Sequence, residues 1–254
     1  MLRVVFFDAA GTLFHTREPA GRTYAKIAQR FGSRADEQLV IDSFRRAFAA
    51  APGLAFGPGH DAAELRQLER EWWHRLVRAT FAGLGGFTDF DAYFDALFAF
   101  FADPANWIGD PHAPMLLTAL RESGLELGVI SNFDYRIYAI LEALGLTRYF
   151  DSITISSEAG YAKPAPEIFR LALQRHSLLS SQALHVGDSE ALDVVGAHAA
   201  GIAAVLVDPD AAPLGETPSL MPQGKDEPIR TDGQCVRVRS LSEVATGLGR
   251  LTFS

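Results

Sequence analysis

The chain has 254 residues, 48% hydrophobic and 21% charged, with a net charge of −8 at neutral pH. That supplies core enough for one domain or two, and the negative balance with no basic run argues against nucleic acid or an anionic membrane as partner. A single cysteine, Cys235, excludes an internal disulfide, no apolar run is long enough to cross a bilayer, and no secretory leader precedes the first strand, so the expected compartment is the cytoplasm.

Val4-Val5-Phe6-Phe7 reads as a fully buried strand. Asp8 arrives where that strand ends, and Gly11 and Thr12 then turn the chain, offering backbone N–H groups and a hydroxyl. Ligands of open parallel sheets collect at the carboxyl ends of strands. A carboxylate placed there suits a nucleophile or a metal ligand; a solvated turn aspartate is the plain alternative.

Residues 17–105 then change to helical periodicity. Pro19 opens a helix carrying Tyr24, Ile27, Ala28 and Phe31, which Gly32 ends. Ser33 is the expected N-cap of a second helix with Leu39, Val40, Phe44 and Phe48. Asp61 caps a third with Leu65, Leu68, Trp72, Leu76 and Phe81, and Thr88 is expected to cap a Phe-rich fourth that Pro104 stops. The aromatic side chains of this block, Trp72, Trp73, Phe94, Phe98 and Phe101, read as bundle core rather than as a ligand-stacking wall.

From Pro111 the pattern alternates helix and strand: helix 113–123, strand 126–130, helix 135–144, strand 152–155, helix 166–175, strand 183–186, helix 190–200, strand 203–207. Alternation of that kind predicts βαβ units and a parallel sheet. The expected fold class is therefore α/β, a Rossmann-like parallel-sheet core formed by 1–16 and 106–254, with 17–105 as an inserted all-helical domain. Residues 208–232 form a long Pro-, Gly- and Asp-rich excursion, before a last strand at 236–238 and a helix at 241–248. Cys235 reads as a packed residue without a catalytic role.

Three later strand ends carry polar residues. Ser131 follows Leu127-Gly128-Val129-Ile130; Lys163-Pro164 precedes a helix; Gly187-Asp188-Ser189-Glu190-Ala191-Leu192-Asp193 follows the strand at 183–186. With Asp8-Ala9-Ala10-Gly11-Thr12 these four stretches, in order and at these intervals, resemble the motifs of the haloacid dehalogenase-like (HAD) hydrolase superfamily over nearly the whole chain. The resemblance implies that 17–105 is a helical cap of the first type. It implies Asp8 as nucleophile, and Mg²⁺ held by Asp8, the carbonyl of Ala10, Asp188 and Asp193, with Asp193 alternatively holding Lys163. Ser131, the N–H of Asn132 and Lys163 would bind the substrate's phosphate, with Thr12 donating to Asp8 or to that phosphate. Each residue has a plainer reading: Asp188 and Ser131 as helix N-caps, Lys163 on the surface, although the chain has only three lysines.

One position departs from the pattern. Phosphatases of the family usually carry a second aspartate two residues after the nucleophile, where this chain has Ala10. His15 is the nearest group that could serve as acid and base. The implied activity is Mg²⁺-dependent hydrolysis of a small phosphorylated metabolite, weakened by Ala10. The alternatives are 2-haloacid dehalogenation, C–P bond hydrolysis of the phosphonoacetaldehyde type, which also needs a cap lysine such as Lys26, or a member that only binds a ligand or partner.

Overall fold

The computed structural model describes residues 1–211 and 235–244. Strand β1 (Val4–Phe7) is completely buried, and its alternating side chains feed two cores. Val5 and Phe7 face helices α5 (Ala113–Glu122) and α6 (Arg136–Ala143). Val4 and Phe6 face α8 (Pro166–His176) and α9 (Val195–Ala199). The result is one sheet with helices on both sides, as an all-parallel sheet requires.

The sheet has six strands in the order β5-β4-β1-β6-β7-β8, every pair parallel. These are β4 (Glu126–Ser131), β5 (Ser152–Ile155), β6 (Ala183–Gly187), β7 (Ala203–Val207) and β8 (Val236–Val238). Strand order reverses at β1, which lies between β4 and β6. Phe7 stands opposite Val129 on one side and Val186 on the other. Asp8, Ser131 and Asp188 therefore leave the sheet at one rim, beside the crevice that such a reversal opens. The expected strand at 236–238 is present, and residues 241–244 are helical. The rest of that expected helix, and 212–234 of the excursion, lie outside the described residues.

The four helices of the insertion are α1 (Ala20–Arg30), α2 (Glu37–Ala50), α3 (Ala62–Thr80) and α4 (Phe90–Ala102). They enclose a core of their own around Tyr24, Val40, Val77, Tyr93, Phe94 and Leu97, with a smaller one at Leu54, Trp72 and Leu76. The chain leaves the sheet region through β2 (Phe14–Thr16) and returns through β3 (Trp107–Gly109), and the two pair antiparallel as a ribbon. Strand β3 has too few residues for its alternation to be read in sequence. The short helix α7 (Ser156–Ala159) was not anticipated for the same reason.

Two expected caps are corrected. Asp36, not Ser33, caps α2, accepting from the N–H groups of Gln38 and Leu39. Asp89, not Thr88, caps α4 through the N–H of Ala92. In each case an aspartate closer to the first turn reaches the free N–H groups. Thr88 instead donates to the carbonyl of Phe31, tying the start of α4 to the end of α1. Asp61 caps α3 as expected, in a reciprocal box with Glu64.

Candidate active site

Asp8 is the first residue beyond β1, and its N–H donates to the carbonyl of Val186, which continues the ladder one residue past the strand. Lys163, buried just before α8, reaches it: Lys163 Nζ donates to Asp8 Oδ1 at 2.6 Å and to Asp193 Oδ1 at 2.6 Å. Burial opposes the ammonium, but the charges of Asp8 and Asp193 outweigh it and push its pKa up. Lys163 therefore stays cationic between two carboxylates. Its backbone is braced by Asn132. The Lys163 N–H donates to Asn132 Oδ1 at 2.7 Å, and Asn132 Nδ2 donates to the Lys163 carbonyl at 2.9 Å. The Asn132 side chain is thus committed to holding the lysine, a role the sequence did not suggest.

The segment 190–200, expected as one helix, is a π-helical turn, Glu190–Val194, followed by α9. Such turns concentrate at functional sites. This one turns Asp193 back over β6. The Asp193 Oδ2 accepts from the N–H of Ser189 at 3.0 Å. Asp193 Oδ1 accepts from Lys163 Nζ and from His185 Nε2 at 2.8 Å. Burial works against this carboxylate, yet Lys163 and His185 together hold its pKa well below the usual range. Gly187 makes room: a Cβ there would lie 2.2 Å from the Asp193 carboxyl carbon.

Asp188 follows β6. It presents surface to solvent, but protein fills much of the space around its carboxyl. Desolvation first, and the charges of Asp8 and Asp193 second, push its pKa up to about 7. Thr12 Oγ1 donates to Asp188 Oδ1 at 3.3 Å, so the hydroxyl expected near Asp8 lies on the neighbouring carboxylate. Carboxylate oxygens of Asp8, Asp188 and Asp193 all lie within 4.8 Å of one another. Three such oxygen donors with one cation among them leave net negative charge in a small volume, and an oxygen set of this kind fits Mg²⁺. Among the described residues Asp193 already accepts three hydrogen bonds, whereas Asp8 and Asp188 each accept one, so these two carboxylates are the less committed and could hold a metal.

A family model described as haloacid dehalogenase-like hydrolase matches residues 2–201. The chain belongs to that family. The mouse haloacid dehalogenase-like hydrolase domain-containing protein 3 is 36% identical over 213 residues, 81% of this chain and 82% of that protein. A ribulose-1,5-bisphosphate 5-phosphatase of Halopiger xanaduensis is 41% identical over 100 residues, 39% of this chain and 42% of that protein. Among solved structures, the magnesium-bound HAD-hydrolase YfnB of Bacillus subtilis superposes with a TM-score of 0.71 over 98% of this chain and 99% of that one, at 18% identity.

Two expected site residues of this HAD-like hydrolase stand apart from the bonded cluster. Ser131 is buried at the end of β4, in register with Ile155 of β5. His15 is exposed on β2, opposite Ile108 of the ribbon. Ala10 lies in the turn that follows Asp8, bridged to Phe14. Cys235 packs against the α8 side of the sheet. No helix among the described residues is long and apolar enough to cross a membrane.

The site has a second layer that sequence reasoning missed. Glu69 of α3 is buried, and its Oε1 accepts from the N–H of Tyr135 at 3.3 Å. Trp73, one turn on, donates from Nε1 to Asp134 Oδ2 at 2.6 Å. Asp134 also takes both arms of the buried Arg136, at 2.8 and 2.6 Å. Ser156 Oγ donates to the carbonyl of Leu54 at 2.6 Å, and a Cβ on Gly53 would lie 2.9 Å from that of Ala162, the neighbour of Lys163. The helical insertion is thus anchored to the loops that follow β4 and β5, on the same rim as Asp8.

Proposed function

We propose that this HAD-like hydrolase is a Mg²⁺-dependent phosphatase of small phosphorylated metabolites, with Asp8 as nucleophile and the helices of 17–105 as the cap over the site. The observation that carries the reading is the single ammonium of Lys163 bridging Asp8 and Asp193, with Asp188 alongside. A carboxylate bonded to a buried ammonium, at a crevice lined by strand ends, suits attack on phosphorus better than it suits a structural role.

Lys163 occupies Asp8 Oδ1, which leaves Asp8 Oδ2 for the attack. Oδ2 forms a bond to phosphorus, the bond from phosphorus to the ester oxygen breaks, and the leaving oxygen takes the electron pair. The product on the chain is an aspartyl phosphate. Water then attacks its phosphorus, Asp8 leaves as carboxylate, and phosphate is released. Ser131 and the N–H of Asn132 are suited to the non-bridging phosphate oxygens, and Lys163 balances their charge. Mg²⁺, held by Asp8, the Ala10 carbonyl and Asp188, would neutralise charge between the carboxylates and the incoming phosphate.

Ala10 can neither protonate the leaving oxygen nor activate water. Substrates with acidic leaving groups, such as acyl or sugar-1 phosphates, are therefore favoured over simple alkyl esters. Two alternatives are less well supported. A metal-free dehalogenase has no use for the carboxylate trio. The Schiff-base route of C–P hydrolysis needs a free amine, and Lys26 is paired with Glu18 on the exposed side of α1. The test is a phosphate-ester panel assayed with Mg²⁺ and with chelator, for the wild type and for Asp8→Asn. Mg²⁺-dependent phosphate release, lost in the variant, is expected. Equal release by the variant overturns the nucleophile.

A further inference from the structure

His185 lies in the middle of β6, paired in register with Phe6 and Ala204, and is fully buried. Its position in the strand pattern reads as core. Its ring packs edge-on against Phe169 of α8, with centroids 5.1 Å apart. Nε2 lies 2.8 Å from Asp193 Oδ1. The Asp193 carboxylate is an acceptor only, so Nε2 carries the proton and donates. Nδ1 is buried, and among the described residues it has no hydrogen-bond partner. Leaving such a group unpaired is costly. An aliphatic residue would fill the same slot without that cost. What it could not supply is the N–H that reaches Asp193.

That N–H matters because Asp193 Oδ1 is shared. The same oxygen takes Lys163 Nζ, and Lys163 Nζ in turn takes Asp8 Oδ1. The chain His185–Asp193–Lys163–Asp8 is continuous, with every link 2.8 Å or shorter, and Lys163, Asp193 and His185 are all buried. Ser189 fixes the other oxygen of Asp193 from the far side. Without the histidine donor, Asp193 is held at one oxygen by Ser189 and at the other only by the flexible lysine stem. The carboxylate can then rotate, and the ammonium with it.

We propose that His185 is a positioning residue: its Nε2–H locks the Asp193 carboxylate, which fixes the Lys163 ammonium and so holds the Asp8 carboxylate in place. The inference rests on the phosphatase reading above. It acts through Asp193 and touches no substrate. The effect should therefore fall on kcat and on Mg²⁺ affinity, not on KM. Partners of this kind, one bond behind a site, are worth about 10–100-fold.

Two amides separate positioning from packing. In His185→Gln the amide nitrogen stands where Nε2 stood and can donate to Asp193. In His185→Asn it stops at the place of Nδ1 and cannot. Both place a polar amide in an apolar slot, so a packing role would penalise them alike. The expected result is a 10–100-fold loss of kcat for His185→Asn with KM unchanged, and recovery of most of that loss in His185→Gln. Calorimetric titration with Mg²⁺ alone should follow the same order, weaker for Asn and restored for Gln. If His185→Asn fails to fold, His185→Met, apolar and as long as the ring, replaces it in the same comparison. Equal losses in the Gln and Asn variants, or loss in neither, overturn the role of His185. A wild type without phosphatase activity sinks the functional reading, while the Mg²⁺ titrations still decide the inference. No Mg²⁺ binding by the wild type overturns both.

Discussion

The backbone of Gly11 lies directly beneath the carboxyl group of Asp188, so close that a Cβ on Gly11 would come within 2.4 Å of Asp188 Oδ2. Gly11 also has φ of +103°, a conformation that L side chains rarely adopt. The turn after β1 and the turn after β6 are thus fitted to each other. Gly11→Ala should strain the first and displace the carboxylate on the second. The expected cost is about 1–3 kcal/mol of stability, with Mg²⁺ affinity reduced roughly tenfold. Thermal unfolding and calorimetric titration with Mg²⁺ read the two effects separately. Unchanged affinity in the folded variant would remove Asp188 from the ligand set.

Lys163 is as much a structural cation as a chemical one. Its side chain is 2% exposed between two carboxylates. Lys163→Met keeps the length and removes the charge, leaving Asp8 and Asp193 facing each other. Breaking a buried ion pair from one side costs about 3–5 kcal/mol. Urea denaturation should show a loss of that size. Lys163→Arg should also be damaging, because a planar fork cannot occupy the point between the two oxygens.

Ala10 sets the rate if the phosphatase reading holds. Supplying a carboxyl there by Ala10→Asp should raise turnover of unactivated phosphate esters by about 10²–10⁴. Esters with acidic leaving groups should gain much less, because they need no proton. A steady-state comparison of one alkyl and one aryl or acyl phosphate checks both expectations. A flat response for both would favour a chain that binds a ligand without turning it over.

Glu69 makes the seam between α3 and the rim pH-sensitive. Its pKa is pushed up to about 7, by burial first and then by the neighbouring charges of Asp134 and Glu158, against help from Ser157 and the N–H of Tyr135. Among the described residues its Oε2 has no hydrogen-bond partner. The folded chain therefore binds this proton more tightly than the unfolded chain does. This group's contribution to stability is complete below the unfolded value of 4.5, falls as pH rises to about 7, and stays reduced above it. Glu69→Gln should flatten that slope and raise stability at pH 8 by roughly 1–2 kcal/mol. Thermal unfolding of both proteins at pH 5 and pH 8 measures it. A wild-type excess of slope that persists in the variant would assign the pH dependence elsewhere.

The rim was legible in the sequence because apolar runs end there abruptly in polar residues. Asp8 and Asp188 each follow a buried strand and Ser131 ends one, and the alternation of strand and helix brings them to one edge of the sheet. Lys163 stood out as one of three lysines. The supporting residues were not legible, for three different reasons. His185 sits inside a buried strand, where its ring is indistinguishable from core. Asn132 acts through a side chain folded back on a backbone 31 residues away. Glu69 stands in Glu69-Arg70-Glu71, which reads as a solvated helix face; its burial comes only from docking against 134–135 and 157, a tertiary fact without a local signature. The two misplaced caps have the opposite origin. Several residues near each helix start can cap, and only the final geometry picks one.

The β2–β3 ribbon has one more bearing. Arg17 donates its N–H to the carbonyl of Asn106, and Thr16 stands opposite Trp107, so the whole helical insertion begins and finishes on adjacent rungs of the same two-strand ladder. Whatever is spliced between those rungs leaves the sheet beneath it topologically untouched. A tight two-residue turn could close the same ladder into a hairpin. The fold can thus exchange this insertion for another of different length or shape while the carboxylates below keep their places.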